Sequence, residues 1–518
     1  MPTIRSLVNG TPIDGAPGGV LTSSNPARLD DTIGEAALGD ASTLVGGCTV
    51  AREAQRLWAA TPAPTRGRVV QQFGRLVEEN AEPLSQLITR EIGKPIRESR
   101  GEVQEVVDTC NFFLSEGRRL YGQTVPSEMR DKQLFTFRAP VGVAAIVTAG
   151  NFPVAVPSWY IVPALVCGNA VVWKPAEYTP ATAEAFAQLL LHSGVPAGVF
   201  SMVLADGPST FQGLEQALDA ELIDKIGFTG STEIGRRIGE LAGRHLQTPC
   251  LELGGKNPLV VMPDADLDLA VEGALFSGFG TAGQRCTSLG TVIVHTDVHD
   301  DFLGRLSKAA AQAPIGDPTA EVLYGPMISS RFCERFETWL ELVAPHHSLL
   351  GSTGVGRIRS ASNPREGFVG DPDAGLYYHP TIVDGVLAGD DLYATETFGP
   401  LVGVATFETF DEALALANGH GYGLSSSIYT SDPLNVFRFR DGISAGMVSV
   451  NNSTSGAEAH LPFGGNGRSG NGSRQSGIWV LDQFTRWQSM NWDYSGHLQK
   501  AQMDIVDVDA DLGFRLPS

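Results

Sequence analysis

The spacing of apolar and polar positions changes several times along the 518-residue chain. From about 43 to 122 apolar residues recur every three or four positions, which predicts helices over 66–80, 81–92 and 102–120. Between 139 and 173 there is no charged residue at all. Gly150, Asn151, Pro153, Pro157, Pro163, Gly168 and Asn169 interrupt this stretch too often for a membrane-spanning helix. The stretch instead predicts a buried strand (141–148), a turn, a helix (158–167) and a second buried strand (170–174). Strands apolar on both faces around a helix make a βαβ unit of a parallel sheet.

Alternation continues with a helix over 181–193, strands over 199–204 and 225–229, and a helix over 233–242, which together predict an open doubly wound α/β sheet. From about 257 the alternation starts again. Helices are expected over 268–276, 297–311, 330–343, 410–417 and 433–441, and strands over 291–295, 401–407, 426–430 and 446–450. The Gly, Ser, Pro and Asp content of 350–378 predicts a surface loop region.

Length and composition narrow the class. A chain this long exceeds one core, so two or three domains are expected. A hydrophobic content of 42% fits a globular protein, and a net charge of −21 argues against nucleic-acid or anionic-membrane partners. Six cysteines without a C-x-x-C pair fit reduced thiols and a cytoplasmic location. The first ten residues carry no apolar signal core, so no secretory signal is expected.

The chemistry-bearing residues sit in the breaks between elements. Cys286 lies in Gly-Thr-Ala-Gly-Gln-Arg-Cys-Thr (280–287) and Glu252 in Leu-Glu-Leu-Gly-Gly-Lys-Asn-Pro (251–258). Asn151 lies in Gly-Asn-Phe-Pro. Singly, these read as a buried thiol, a surface carboxylate and a turn residue. Together they suggest covalent catalysis. Two runs spell G-x-G-x-x-G, at 278–283 and 465–470, but neither follows the first strand of a βαβ unit. A better nucleotide signal is Phe-Thr-Gly-Ser-Thr-Glu-Ile-Gly (228–235), where amides beside Gly230 and Ser231 open a helix. A plain N-cap explains the same residues. Lys174 and Glu177 in Trp-Lys-Pro-Ala-Glu end a buried strand, where α/β ligands dock.

These runs, together with Glu-Thr-Phe-Gly-Pro (396–400) and Pro-Phe-Gly-Gly (462–465), occur in an order that resembles the aldehyde dehydrogenase superfamily over nearly the whole chain. The resemblance implies a Rossmann-like cofactor domain (1–132 and 150–256) and an α/β catalytic domain (257–461). It adds a small β oligomerisation element (133–149 and 479–493) followed by a C-terminal tail (494–518), and a homodimer or homotetramer. It implies Cys286 as nucleophile, Asn151 as an oxyanion donor and Glu252 as the base that activates water. NAD, with NADP as the alternative, would be held by Lys174, Glu177, Gly230, Ser231, Glu396 and Phe398. A carboxylate at Glu177 favours a ribose 2′-hydroxyl over a 2′-phosphate.

Within the superfamily, Gly-Glu-Val-Gln-Glu (101–105), Asn-Phe-Pro-Val-Ala-Val (151–156), Leu-Tyr-Gly-Pro (323–326) and Thr-Ser-Gly-Ala-Glu (454–458) are similar to the α-aminoadipic semialdehyde dehydrogenase group. That likeness implies an amino-acid semialdehyde, with other dicarboxylate-type or aliphatic semialdehydes as the alternative. Arg285 offers a fork for the substrate carboxylate beside Ser455, Gly456 and Ala457, and Glu105 faces the α-ammonium group. The run after Pro-Phe-Gly-Gly lacks the lysine common in the wider family. Glu252 argues against a CoA-acylating relative, and the intact trio argues against a non-catalytic scaffold.

Overall fold

The structure, a computed structural model, describes residues 2–350 and 354–517. Two seven-stranded sheets carry the molecule. In the first the order is Cys250–Glu252, Lys225–Thr229, Val143–Val147, Ala170–Lys174, Phe200–Met202, Leu7–Val8, Thr11–Pro12. Its first five strands are parallel, and the two N-terminal strands add on antiparallel. Helices Ala155–Val166, Pro180–Leu191, Gly207–Asp219 and Thr232–Arg244 connect or flank these strands. The expected helix at 158–167 begins three residues earlier, since Pro157 needs no donor in a first turn.

The second sheet runs Ser348–Leu350, Thr381–Asp384, Leu401–Phe407, Leu289–His295, Asn257–Val261, Ser425–Tyr429, Met447–Val450, and only its first pair is antiparallel. Each sheet has its own core. Trp173, Tyr160 and Phe186 are buried on the first, and Phe279, Tyr324 and Phe336 on the second. No helix among the described residues is long and apolar enough to cross a membrane.

Three expectations need correction. The proposed β element over 133–149 stops at Pro140: Lys132–Pro140 pairs with Thr485–Asp493 and Thr124–Val125, whereas Val143–Val147 lies inside the first large sheet. The uncharged run Val-Ala-Ala-Ile-Val can be buried on both faces, and the mixed run before it cannot. Of 479–493, only Thr485–Asp493 is strand, because 478–484 forms two short helical turns. Finally, 350–378 is irregular but not simply a surface loop: Ile358, Arg365, Leu376, Tyr377 and Tyr378 are buried. Arg365 donates to the carbonyls of Ala310, Ala311 and Ala313 and so closes the end of the His299–Gln312 helix. Residues 351–353 of that region lie outside the described residues.

Candidate active site

Four carboxyl ends of strands in the first sheet converge on one cleft. Val143–Val147 leads to Asn151, Ala170–Lys174 ends on Lys174, Lys225–Thr229 leads to Gly230 and Ser231, and Cys250–Glu252 ends on Glu252. This is where open α/β sheets bind ligands. A cavity of about 690 Å³ holds Lys174, Glu177, Gly230 and Ser231. A second of about 180 Å³ holds Asn151, Glu396, Phe398 and Cys286. Ala149, Tyr178, Thr229, Gly230 and Ser231 line both, so the two form one cleft that ends on the thiol.

From the other side a cavity of about 310 Å³ also ends on Cys286. Its wall includes Glu98, Glu102, Glu105, Phe152, Trp159, Phe276, Arg285, Ser455, Gly456, Ala457 and Phe463. Cys286 is therefore the junction between a long cleft and a largely apolar pocket. The other five cysteines are fully buried.

The loop that carries the thiol is tightly built. Gly283 has φ +67, and a β-carbon there would overlap the Gly399 carbonyl. The Cys286 carbonyl accepts from Asn257 Nδ2 at 2.9 Å, and the Thr287 carbonyl accepts from Thr454 at 2.8 Å. Asn151 Nδ2 donates to the Gln284 carbonyl at 3.0 Å, which ties the Asn151 loop to the thiol loop. Burial, with Glu252 and Glu396 nearby, pushes the Cys286 thiol up to about 12.

Glu252 is almost wholly buried. Its Oε2 accepts from the Gly465 amide at 3.1 Å, and its Oε1 has no hydrogen-bond partner among the described residues. Burial raises its pKa well above the usual carboxylate range, opposed by Arg474 and the Gly465 amide. Glu396 is held by the Gly255 amide at 2.9 Å, and a β-carbon on Gly254 would overlap its carboxylate.

The sequence of the chain between residues 14 and 490 matches the family model described as "Aldehyde dehydrogenase family". The chain belongs to the aldehyde dehydrogenase family. It is 36% identical to α-aminoadipic semialdehyde dehydrogenase of Bos taurus over 497 residues, covering 94% of this chain and 88% of that protein. It is 33% identical to the NADP⁺ succinate-semialdehyde dehydrogenase of Escherichia coli, covering 92% and 95%. Among solved structures, the NAD-dependent aldehyde dehydrogenase of Sinorhizobium meliloti superposes with a TM-score of 0.89 at 30% identity, covering 96% of each chain. The fold is thus that of an aldehyde-oxidising dehydrogenase, as its motifs imply.

Every residue named from the sequence lines one of the three cavities except Glu252, which is buried behind them. Ser231 serves both readings: it lines the cleft and its Oγ also caps the Thr232–Arg244 helix at Ile234. Lys174 lies 3.5 Å from Glu177, and burial lowers its pKa. Glu105 accepts from Trp159 Nε1 at 3.1 Å, and burial, more than the nearby Asp108 and Glu458, raises it to about 7.

Arg285 has partners within the chain. Its Nη2 pairs with Glu98 at 2.5 Å, its Nε donates to Thr281 at 3.3 Å, and its guanidinium stacks 4.5 Å over Phe276. It lines the pocket as expected, with part of its fork taken up by these partners. Sequence reasoning passed over Glu98, Glu102 and Lys94. Their signal was the 98, 102, 105 spacing, which places three acids on one helix face.

Proposed function

We propose that the enzyme oxidises an amino-acid semialdehyde of the α-aminoadipic semialdehyde kind to its carboxylic acid, with NAD as the preferred acceptor and NADP as the weaker alternative. The observation that carries this reading is the charge of the pocket that ends on Cys286. Among the described residues its only cation, Arg285, is already matched by Glu98, while Glu105 has no ion-pair partner. Such a wall suits an ammonium group. The amides of Gly456 and Ala457 make no hydrogen bond among the described residues and are left for the substrate carboxylate. The bovine relative's name gives the same substrate class. Semialdehydes that carry a carboxylate without an ammonium group would leave Glu105 unmatched.

The cofactor reading rests on the fit of the joined cleft. Lys174 and Glu177 would hold the adenosine ribose, Gly230 and Ser231 the pyrophosphate at a helix N-terminus, and Glu396 and Phe398 the nicotinamide ribose. When bound there, NAD supplies a hydride acceptor and a positive charge close to the thiol. Cys286 gives its proton to water in the cleft and its sulfur bonds to the aldehyde carbon, giving a thiohemiacetal whose oxyanion takes donors from Asn151 Nδ2 and the Cys286 amide. Loss of hydride from that carbon leaves a thioester on Cys286. Glu252, once its own carboxyl has ionised, then removes a proton from water, which attacks the thioester, and that proton passes to the departing sulfur as the acid leaves and the thiol re-forms. The unpartnered Oε1 of Glu252 is free to hold that water.

We assign the three-stranded sheet to self-association. Thr485–Asp493 pairs with Lys132–Pro140 along one edge only, is exposed along eight of its nine residues and presents Trp487, Met490 and Trp492, which a free edge strand rarely does. Purified enzyme incubated with NAD and a panel of aldehydes tests the whole reading through NADH formation. Preference for α-aminoadipic semialdehyde over succinic semialdehyde and propanal supports it. Equal or reversed preference rejects the substrate, and no NADH from any aldehyde rejects the enzyme.

A further inference from the structure

Glu98, Glu102 and Glu105 stand four and three residues apart on the Ile96–Arg119 helix, and all three reach the pocket wall. Each is bonded to a different segment. Glu98 accepts from the Thr281 amide at 3.2 Å and from the Thr281 hydroxyl, and it pairs with Arg285 at 2.5 Å. Glu102 accepts from the amides of Val154 and Ala155 at 2.9 and 3.1 Å, and its other oxygen pairs with the buried Lys94. Lys94 in turn lies 3.6 Å over the Phe152 ring, one residue after Asn151. Glu105 holds Trp159.

The segment that Glu98 grips is strained. Thr281 and Ala282 have φ of 52° and 54°, two successive non-glycine residues in the left-handed region. For a β-branched threonine this conformation persists only where surrounding bonds impose it. Cys286 follows Thr281 by five residues, and Glu98 bonds the segment at both ends. We propose that Glu98 is a positioning residue that clamps the nucleophile loop in its strained form, with Arg285 as its counter-ion. Glu102 fixes the Asn151 loop from the same helix face. One helix therefore sets the distance between thiol and oxyanion donor, and the Asn151–Gln284 hydrogen bond closes the arrangement. For stability alone a buried ion pair is often no better than apolar filling, so the role assigned to this one is geometric.

The proposal rests on Cys286 as the nucleophile, so the test separates the two. In the full-length enzyme, Glu98→Gln keeps the side-chain shape but removes the charge. Thr281→Val removes only the hydroxyl donor. Both are measured by kcat and KM for one charged and one uncharged aldehyde, and by the pH profile of Cys286 alkylation with iodoacetamide. Glu98→Gln is expected to lower kcat on the order of 10–100-fold for both aldehydes, with each KM changed less than about threefold, because a misplaced nucleophile loses near-attack geometry. The alkylation profile should shift as well, and Glu98→Asp should recover part of both losses. Unchanged kcat and alkylation in Glu98→Gln overturn the clamp. So does a loss confined to the KM of the charged aldehyde, which would make the pair a recognition element. If Glu98→Gln does not fold, unchanged kinetics and alkylation in Thr281→Val overturn it equally. Turnover retained by Cys286→Ala would defeat the functional reading itself. An inactive Cys286→Ala beside a fully active Glu98→Gln would defeat only the clamp.

Discussion

Replacing Glu105 by glutamine should convert the enzyme from one that favours ammonium-bearing aldehydes into one that treats them like any other. The amide keeps the shape and can still accept from Trp159 Nε1, so the pocket wall stays in place. What is lost is one negative charge in a pocket whose other charges are paired. A carboxylate and an ammonium about 4 Å apart attract by about 4 kcal/mol at an effective dielectric of about 20. Desolvation cancels much of this, and a charge-assisted hydrogen bond nets about 1.5–3 kcal/mol. KM for α-aminoadipic semialdehyde should therefore rise roughly 10–100-fold, and KM for propanal should stay within about twofold. The pH dependence gives a second reading of the same charge. Glu105 is raised to about 7 by burial, so below that pH it is neutral and the attraction is absent. In the wild type, KM for the amino aldehyde should fall as pH rises through about 7, and in Glu105→Gln this slope should vanish. Steady-state kinetics by NADH absorbance with both aldehydes measure this directly. Parallel KM changes for the two aldehydes, or a wild-type profile without the slope, would refute the reasoning.

Other expectations follow from particular contacts. Lys94→Met leaves the Glu102 carboxylate buried without its cation and should cost about 3–5 kcal/mol, while Lys94→Met/Glu102→Gln should recover part of it; thermal unfolding of the single and double variants completes the cycle. Glu177→Gln removes the carboxylate that opposes a 2′-phosphate, so the ratio of kcat/KM for NADP to that for NAD should rise by about tenfold or more; no change in the ratio would place the adenosine end elsewhere. Because burial and two carboxylates hold the Cys286 thiol at about 12, alkylation of the free enzyme should climb with pH without a plateau near neutrality; a neutral plateau would show a stabilised thiolate.

The elements legible in the sequence were those whose apolar runs are bracketed by glycine, proline or charge. The strands Ala170–Lys174, Lys225–Thr229 and Leu401–Phe407 and the helix Ala81–Ile92 have the expected bounds. Short strands such as Cys250–Glu252 carry too few residues to show a period, and the N-terminal strands Thr3–Arg5 and Leu7–Val8 fall under the same limit. In the site, Cys286, Asn151 and Glu252 stood out because each breaks a regular pattern. Glu98 and Glu102 did not, because acids at helical spacing look like an ordinary solvated face. Their meaning comes from partners distant in the chain: Glu98 meets Arg285 across 187 positions, and Glu102 meets Val154 across 52. No local pattern contains that information, and Arg285 consequently looked like a free anchor.

The central claim is that Cys286, at the junction of cleft and pocket, carries the acyl group until Glu252 delivers water to it. Glu252→Gln should form the thioester and hydrolyse it about 10²–10⁴-fold more slowly, so it accumulates. Peptide mass analysis of that variant, quenched after mixing with aldehyde and NAD, should find the acyl increment on the peptide containing Cys286, together with a burst of NADH equal to the active sites. NADH formation with no adduct on Cys286, or an adduct on one of the buried cysteines, would contradict it.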